Sequence, residues 1–574
     1  MAEGVQLTKV VKGREDDCDE AASTPLMLQS DRAYDFDDLL RLVGGFGRYP
    51  AFLYAFTCIM SVPVGLQQLI QVFYAVTPPF DCKGSLPVAR NGSCGVSECC
   101  ANCTEYGFDT SELTSAVSEW QLVCSRSHLK AMTQAVYMAG LLVGSVTFSS
   151  ISDHFGRRLS MFLSIFLMAA CGIVSGVSDC LSMFALFRFG AGAACAGCLL
   201  ARYVYCVELV VRKHRTAAGF ISNMFVSVGF SSVTLFVYFI HEWRYQLVAV
   251  SATGLPLLIF WWFIPESPRW LIAENKLDEA HALLTKFAEK NRVTVDSKHL
   301  MHMIREVKKA DIRSDDNRKY GMLDLLRTPK LRKRTFICGV NWSVNALVFF
   351  GLNLNVKNLG GDIYLNFFIL CIIEIPAALI CWFALQRFGR RIPYCVFMLT
   401  GGVAGLLVLA VPTAKGYQSV IVGLAMIGKI CIVMTFLAIY IFTVELYPTV
   451  IRNTGIGVSS MLARFGGILA PYIVLLADVP NVNKNFPLVI FGVLAVAAGI
   501  LALWLPETLF SQMSQTVEQA EAWDEDYRIY CFKRTRAAAE QKLEIEAQER
   551  DAALSKEEEK TDTSQAPGDD VLRC

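Results

Sequence analysis

The pentapeptide HFGRR at residues 154–158 returns as RFGRR at residues 387–391. Two further pairs of marks repeat in the same order: Glu208 with Arg215 and then Glu445 with Arg452, followed by PESPRWL from Pro265 and PETLF from Pro506. The offset between the two copies of each mark is about 240 residues throughout, which indicates an internal repeat. The chain is therefore predicted to consist of two copies of one structural unit.

Between these marks lie long apolar blocks. The chain has 574 residues, of which 54% are hydrophobic and 18% charged, and its mean hydropathy is +0.41. Because a spanning helix needs about 20 mostly apolar residues, we predict an all-α membrane protein with twelve spans. The spans lie near residues 51–74, 131–151, 160–178, 182–207, 218–238, 245–264, 335–355, 364–385, 393–412, 418–441, 455–477 and 487–506.

The same features exclude other classes of protein. A soluble chain of this length would have a lower hydropathy, and a net charge of +1 excludes a polybasic nucleic-acid binder. The sequence contains no metal-ligand spacing, no Walker loop and no nucleophile elbow. We therefore expect a protein that is not an enzyme, with no catalytic residues, no metal, no cofactor and no nucleic-acid partner.

The charges in the loops predict the orientation in the membrane. Lys and Arg concentrate in alternate loops, for example at Arg157–Arg158 and Arg390–Arg391, and excess positive charge marks cytoplasmic loops. With an even number of spans, both termini are expected in the cytoplasm of a multi-pass protein of the cell membrane. The loop 75–130 is then extracellular.

The composition of the loop 75–130 agrees with an external location. It carries glycosylation sequons at Asn91 and Asn102, whereas a third sequon at Asn341 lies inside a predicted span and is discounted. It also carries an even set of cysteines suited to disulfides whose pairing stays open: Cys82, Cys94, Cys99, Cys100, Cys103 and Cys124.

Composition shifts divide the chain into segments. We predict a cytoplasmic N-terminal segment, a first half of six helices, a cytoplasmic linker, a second half of six helices and a cytoplasmic tail that is partly disordered. Their bounds are 1–50, 51–264, 265–334, 335–506 and 507–574.

Five stretches carry a resemblance to a known family: SEWQLVC at 118–124, SDHFGRR at 152–158, PESPRWL at 265–271, NLGGDIYLN at 358–366 and ELYPTVIRNTG at 445–455. The chain resembles the major facilitator superfamily, and within it the branch of organic cation, organic anion and carnitine transporters. The resemblance spans residue 35 to about 510 and implies the major facilitator fold. Ser149 and His154 depart from the family's first loop motif, which has glycine and arginine there.

Charged residues at the cytoplasmic helix ends are candidates for a gate. Acids and arginines at repeated spacings can pair when that side is shut and separate into water when it opens, whereas simple anchoring in the membrane needs only the basic residues. The candidates are Asp153, Arg157, Arg158, Glu208 and Arg215 in the first half, and Arg390, Arg391, Glu445 and Arg452 in the second.

Four ionisable residues stand out inside predicted spans, where a charge costs about 2.5–3.5 kcal/mol and calls for a partner or a cavity. Arg464 is deep in the eleventh span and is the best candidate for binding an anion. Glu374 is in the eighth span and Lys429 in the tenth. Arg202 is in the inner third of the fourth span, from which it could also reach the cytoplasmic face.

Aromatic residues share faces of two predicted spans. Trp342, Phe349 and Phe350 lie on the seventh span, and Phe436 lies seven residues beyond Lys429 on the tenth. Aromatic faces hold quaternary ammonium groups, although packing is the commoner role of a single phenylalanine in a span. In the family that the chain resembles, the matching positions line the central pocket.

The resemblance also bears on substrate charge. Its cation carriers have an aspartate where this chain has Arg464, and its anion carriers add a lysine where this chain has Ala378. A carnitine-like zwitterion is therefore the expected substrate, with its carboxylate on Arg464 and its ammonium near Trp342, Phe349 and Glu374. Because the resemblance implies an acid at position 374 in every branch, Glu374 could instead be structural.

Three alternatives remain: an organic anion carrier, an organic cation carrier, and a receptor-like or scaffold member that does not transport. The lipid bilayer and a small organic ion are the expected partners. A coupling ion, Na⁺ or H⁺, and the oligomeric state stay open.

Overall fold

Eleven helices in the described part of the chain are long and apolar enough to cross a membrane, and a shorter apolar helix, Phe486–Ala502, follows them. The computed structural model describes residues 35–83, 99, 103, 105–111, 113–211, 214–315, 321–359, 361–412, 417–479, 482–509, 514 and 516–522. The prediction of an all-α, multi-pass membrane protein with twelve spanning helices is confirmed.

The described residues of the first half form ten α-helices. They are α1 (Phe36–Leu42), α2 (Arg48–Ile59), α3 (Ser61–Leu69), α4 (Gln71–Tyr74), α5 (Ala116–Glu119), α6 (Ser127–Phe155), α7 (Arg157–Gly176), α8 (Leu181–Glu208), α9 (Arg215–Phe239) and α10 (Trp243–Ala252). A 3₁₀ segment, Leu255–Trp262, continues the last of these spans.

The linker and the second half follow in order. They contain α11 (Pro268–Ala273), α12 (Leu277–Asn291), α13 (Ser297–Asp315), α14 (Pro329–Leu354), α15 (Ile363–Ile372), α16 (Glu374–Phe388), α17 (Arg391–Leu407), α18 (Gln418–Leu446), α19 (Arg452–Leu475), α20 (Phe486–Ala502) and α21 (Val517–Ala522). Short 3₁₀ segments lie at Cys124–Arg126, Met322–Leu326, Asn355–Asn358, Val408–Ala410, Thr449–Ile451 and Leu476–Asp478.

Three spans that were predicted as continuous helices are interrupted. The first divides at Met60 and the eighth at Ile373, three residues before Pro63 and Pro376 respectively. Proline has no N–H to donate, and its ring collides with the carbonyl four residues earlier, so a regular helix is disfavoured there. The sixth span changes to a 3₁₀ helix beside Pro256 for a related reason.

The loop 75–130 contains the only strands in the described residues, β1 (Phe80–Cys82) and β2 (Tyr106–Phe108). They pair antiparallel, with Phe80 opposite Phe108. Disulfides join Cys82 to Cys103 and Cys99 to Cys124. Of the residues predicted for this loop, Asn91, Asn102, Cys94 and Cys100 lie outside the described ones. We call the end of the bundle with this loop the disulfide end.

The opposite end carries the paired arginines of the repeated motif, and we call it the arginine end. Each half packs mainly within itself: α6 and α7 against α8 in the first half, and α14 against α19 and α17 against α20 in the second. The halves meet where α6 packs on α19 and where α9 packs on α15. Helix α9 also contacts α16 of the second half.

Candidate functional site

At the arginine end of the first half, one carboxylate organises the start of α7. Glu266 accepts the backbone N–H groups of Arg157, at 2.9 Å, and of Arg158, at 3.1 Å. The guanidinium of Arg157 then forms ion pairs with Asp153, at 3.2 Å, and with Glu208, at 3.5 Å. Burial raises the pKa of Glu266 above its usual range, against the lowering effect of the N–H donors.

The second half repeats this arrangement. Glu507 accepts the backbone N–H groups of Arg390, at 2.8 Å, and of Arg391, at 3.1 Å. The guanidinium of Arg390 forms an ion pair with Glu445 at 2.9 Å, and Thr508 donates a hydrogen bond to the same carboxylate. The repeat read from the sequence thus corresponds to the same hydrogen-bonding pattern in both halves.

A glycine makes each of these clusters possible. Gly156 and Gly389 have φ values of +101° and +92°, in the region that favours glycine. A Cβ atom would lie 2.3 Å from a carboxylate oxygen of Glu266 at the first position and 2.5 Å from one of Glu507 at the second. The glycine in each FGRR motif therefore lets a carboxylate approach the start of the next helix.

The remaining two predicted gating residues differ in their partners. Arg215 forms an ion pair with Asp37 of α1 at 2.6 Å. Arg452 donates to Thr449 Oγ1 at 3.2 Å and to the Tyr447 carbonyl at 3.3 Å. These contacts and the pairs of Arg157 and Arg390 each join groups of the same half.

Inside the second half, two of the candidates pair with each other. Lys429 of α18 lies 2.7 Å from Glu374 of α16, and the two side chains are 0% and 4% exposed. Ser227 of α9, in the other half, donates to the second carboxylate oxygen at 2.7 Å. The ammonium also lies 3.7 Å from the ring centroid of Phe349. The Lys429 ammonium and the Glu374 carboxylate do not have hydrogen-bond geometry, so the attraction between their opposite charges holds them together.

Aromatic rings from α14 and α18 form a continuous wall beside this pair. Trp342 lies 4.3 Å from Tyr440 and 6.1 Å from Phe436 between ring centroids. Phe349 is 5.6 Å from Phe436 and 5.3 Å from Phe350. Trp342 is almost fully buried and donates its indole N–H to Thr443 at 2.9 Å. The ring most exposed in this wall is that of Tyr440, which the sequence analysis did not single out.

Arg464 on α19 has no acidic partner. Its Nε is buried without a hydrogen-bond partner, and no described carboxylate lies within ion-pair distance of its guanidinium. It is close enough to act electrostatically on Tyr440 of α18 and on Cys195 of α8, which belong to opposite halves. Tyr203 of α8 is in turn within electrostatic range of Tyr440. Arg464 therefore lies at the boundary between the halves.

Two further arginines are buried in the interior of the first half. Arg202 is 1% exposed and donates to Ser222 Oγ, so it does not reach towards the membrane surface. Arg188 is fully buried, donates to Gln67 Oε1 at 3.1 Å and lies over the ring of Tyr137 at 4.3 Å. Arg188 was not among the predicted site residues, although an arginine within an apolar span itself indicates a functional or paired group.

At the disulfide end, charged groups connect the two halves. Lys130 of α6 lies 3.1 Å from Asp478, which ends the span of α19, and also donates to Thr77 at 2.9 Å. Lys357, after α14, lies 3.1 Å from the same carboxylate. None of the three was a predicted site residue, because each lies where a span ends and reads as an ordinary interfacial charge.

Comparisons with known proteins agree with this architecture. Residues 95–523 match the family described as "Sugar (and other) transporter". The chain is 37% identical to the "Organic cation transporter protein" of Drosophila melanogaster, over 85% of this chain and 94% of that protein. It is 30% identical to "Solute carrier family 22 member 6-B" of Xenopus laevis, over 86% and 96%, and 28% identical to "Organic cation/carnitine transporter 2" of Homo sapiens, over 84% and 94%.

Among solved structures, the chain resembles the inward open conformation of the xylose transporter XylE from E. coli. The TM-score is 0.59 at 16% sequence identity, covering 83% of this chain and 100% of that one. This likeness shows the fold alone. The family and the relatives are transporters, not enzymes. The chain belongs to the major facilitator transporters and, within them, to the solute carrier 22 family of organic cation, anion and carnitine carriers.

Proposed function

We propose that this protein carries small organic ions that bear a carboxylate, in the first place carnitine-like zwitterions, across the plasma membrane by alternating access. The observation that carries the proposal is the charge state of the central residues. Among the described residues Arg464 has no acidic partner, whereas Glu374, the acid among the predicted site residues of the spans, is paired with Lys429. The unsatisfied charge at the boundary between the halves is positive.

A guanidinium suits a carboxylate ligand for two reasons. It stays charged at any physiological pH, so it needs water or an anion within the membrane. Its planar fork also binds both oxygens of a carboxylate, with hydrogen bonds roughly twice as strong as those between neutral groups. A substrate carboxylate would supply the partner that Arg464 lacks.

The aromatic wall suits the other end of a zwitterion. Tyr440 is within electrostatic range of Arg464, and Phe436 lies next to Tyr440. A quaternary ammonium gains about 0.5–2 kcal/mol over the faces of such rings. The hypothesis from sequence placed the ammonium near Glu374. Since Glu374 is paired with Lys429, we place the substrate ammonium against Phe436, Tyr440 and the edge of Trp342.

The experiment that tests this proposal is uptake of a labelled panel of carnitine, tetraethylammonium and p-aminohippurate, with and without sodium. Arg464→Lys keeps the charge but loses the fork, so we expect carnitine uptake to fall about tenfold or more at limiting substrate. Arg464→Asp should abolish carnitine uptake. Arg202→Lys is the matched control, because it changes a buried arginine of the first half that is hydrogen-bonded to Ser222.

Competition by simple anions but not by zwitterions would overturn the choice of substrate and support the organic anion alternative. One observation favours that alternative: Lys429 Nζ is buried without a hydrogen-bond partner among the described residues, so it could donate to a second anionic group. The organic cation alternative rests on the name of the Drosophila melanogaster relative. It predicts that tetraethylammonium competes best. A surface-expressed protein that moves none of the three would be a non-transporting member.

We also propose that the disulfide end faces the outside of the cell and that both termini are cytoplasmic. The disulfides Cys82–Cys103 and Cys99–Cys124 support this orientation, because such bonds persist in oxidising compartments. Glycosidase treatment should increase the gel mobility of the wild-type protein, and Asn91→Gln with Asn102→Gln should abolish that change. Absence of any change in a glycosylating host would contradict this orientation.

A further inference from the structure

We propose that Lys130, Asp478 and Lys357 form a latch that holds the two halves together at the disulfide end, with the bond between Lys130 and Asp478 as its closing contact. The inference rests on the proposed alternating access, because a latch has a function only if the halves separate at that end.

The positions of the three groups decide which contact can act as a latch. Lys130 belongs to α6 of the first half, whereas Asp478 and Lys357 both belong to the second half. Both ammonium groups lie 3.1 Å from the carboxylate of Asp478. Separation of the halves breaks only the Lys130 contact, and Lys357 stays with Asp478.

The surroundings of this contact differ from those of an ordinary surface ion pair. The side chains of Lys130 and Lys357 are 12% and 16% exposed, and that of Asp478 is 31% exposed. Partial burial reduces screening by water and salt, so charges interact more strongly there than at an open surface. The same three residues border a small cavity together with Gln71 and Val72 of α4.

Aromatic packing between the halves lies beside the charged groups. Phe73 of α4 stacks on Tyr364 at 5.8 Å between ring centroids and contacts Phe367 at 5.0 Å. Tyr238 of α9 contacts Tyr364 at 6.1 Å. The rings exclude water but can pack at a range of centroid distances, whereas the contact between the Lys130 ammonium and the Asp478 carboxylate is short and directional. The charged contact is therefore the element whose loss has the clearest effect on opening.

The test uses accessibility from outside the cell and needs no substrate. Val72→Cys, made in a Cys180→Ser background because Cys180 is exposed, places a thiol in the cavity behind the latch. A membrane-impermeant maleimide on intact cells then reports how often the disulfide end opens. The Cys180→Ser protein without Val72→Cys gives the background labelling.

Lys130→Gln and Lys357→Gln form a matched pair, because each removes one ammonium at the same distance from the same carboxylate. We expect Lys130→Gln to accelerate labelling of Val72→Cys about two- to fivefold. Lys357→Gln should change it less, and Lys130→Arg should keep the wild-type rate. Asp478→Asn, which removes the shared acceptor, should accelerate labelling at least as much as Lys130→Gln.

Equal acceleration by Lys130→Gln and Lys357→Gln, or no acceleration by Lys130→Gln, would overturn the latch. Lys130→Glu gives a second measurement of the same contact, because it sets like charges against each other and should accelerate labelling further. Failure of the Arg464 uptake experiment leaves these labelling rates unaffected, so the proposed substrate and the latch fail separately.

Discussion

The two halves carry the same arrangement at the arginine end but neutralise it differently. In the first half, Arg157 forms ion pairs with both Asp153 and Glu208. In the described part of the second half, Arg390 forms an ion pair with one acid, Glu445, which also accepts a hydrogen bond from Thr508. Gln386 occupies the position that corresponds to Asp153. The shared part, a carboxylate on the N–H groups of two arginines, is therefore structural, and the differing part is where the proposed gating would be tuned.

The interiors of the halves differ more. The first half buries Arg188 and Arg202 with polar but uncharged hydrogen-bond partners, whereas the second buries the Glu374–Lys429 ion pair. Ser227 connects this pair to the first half, so the pair lies at the boundary that rearranges in the proposed alternating access. The comparison predicts that substitutions in the second half have larger effects than their equivalents in the first.

The largest expected effect follows from breaking the Glu374–Lys429 pair. Lys429→Ala leaves a carboxylate buried without its counter-charge, which costs about 3–5 kcal/mol of stability. We expect a strong loss of surface delivery and a lower thermal unfolding temperature in detergent. Glu374→Gln combined with Lys429→Met removes both charges and should restore most of the stability without restoring transport. An unchanged unfolding temperature for Lys429→Ala would show that Glu374 has another partner.

A smaller effect is expected at the arginine end. Glu445→Ala removes the carboxylate that accepts hydrogen bonds from Arg390 and Thr508. The lost interaction free energy is about 1–1.5 kcal/mol, so transport per surface copy should fall about five- to tenfold. Arg452→Ala removes hydrogen bonds to Thr449 and to the Tyr447 carbonyl, and it should also reduce turnover. Both should impair turnover more than surface delivery. Normal transport rates in both variants would refute the gating role of these residues.

The smallest effect is expected at Asp153. This side chain is 65% exposed, and exposed ion pairs contribute about 0–1 kcal/mol. Asp153→Asn should therefore leave uptake within about twofold of the wild type, as Gln386 in the second half suggests. Glu208→Gln, at a side chain that is 9% exposed, is the comparison and should reduce uptake more. If Asp153→Asn has the larger effect, the two halves are less alike than their geometry indicates.

The spans and the repeat were predictable because both are local in the sequence: apolar length defines a span, and a motif at constant offset defines a repeat. The breaks at Met60 and Ile373 were partly predictable from Pro63 and Pro376. Contacts between distant segments were not. Glu266 and Glu507 stood inside quoted motifs, yet their role depends on folding back onto α7 and α17.

The candidate site shows the same limit. The sequence indicated that Glu374, Lys429 and Arg464 needed partners, because a charge within a span is costly. It could not indicate that the first two partner each other and leave Arg464 without an acid. Nor could it connect Lys130 with Asp478, which are 348 residues apart.

The buried arginines of the first half would make the proposed rocking motion sensitive to membrane voltage. Arg188 and Arg202 lie within the span of α8, and no described carboxylate is within ion-pair distance of either. Moving one elementary charge through the full field changes the free energy by about 2.3 kcal/mol per 100 mV. If the first half rocks between its two positions, each guanidinium crosses a fraction of that field. In the proposed alternating access, the equilibrium between the two orientations of the empty carrier would then follow the membrane potential even when the substrate carries no net charge.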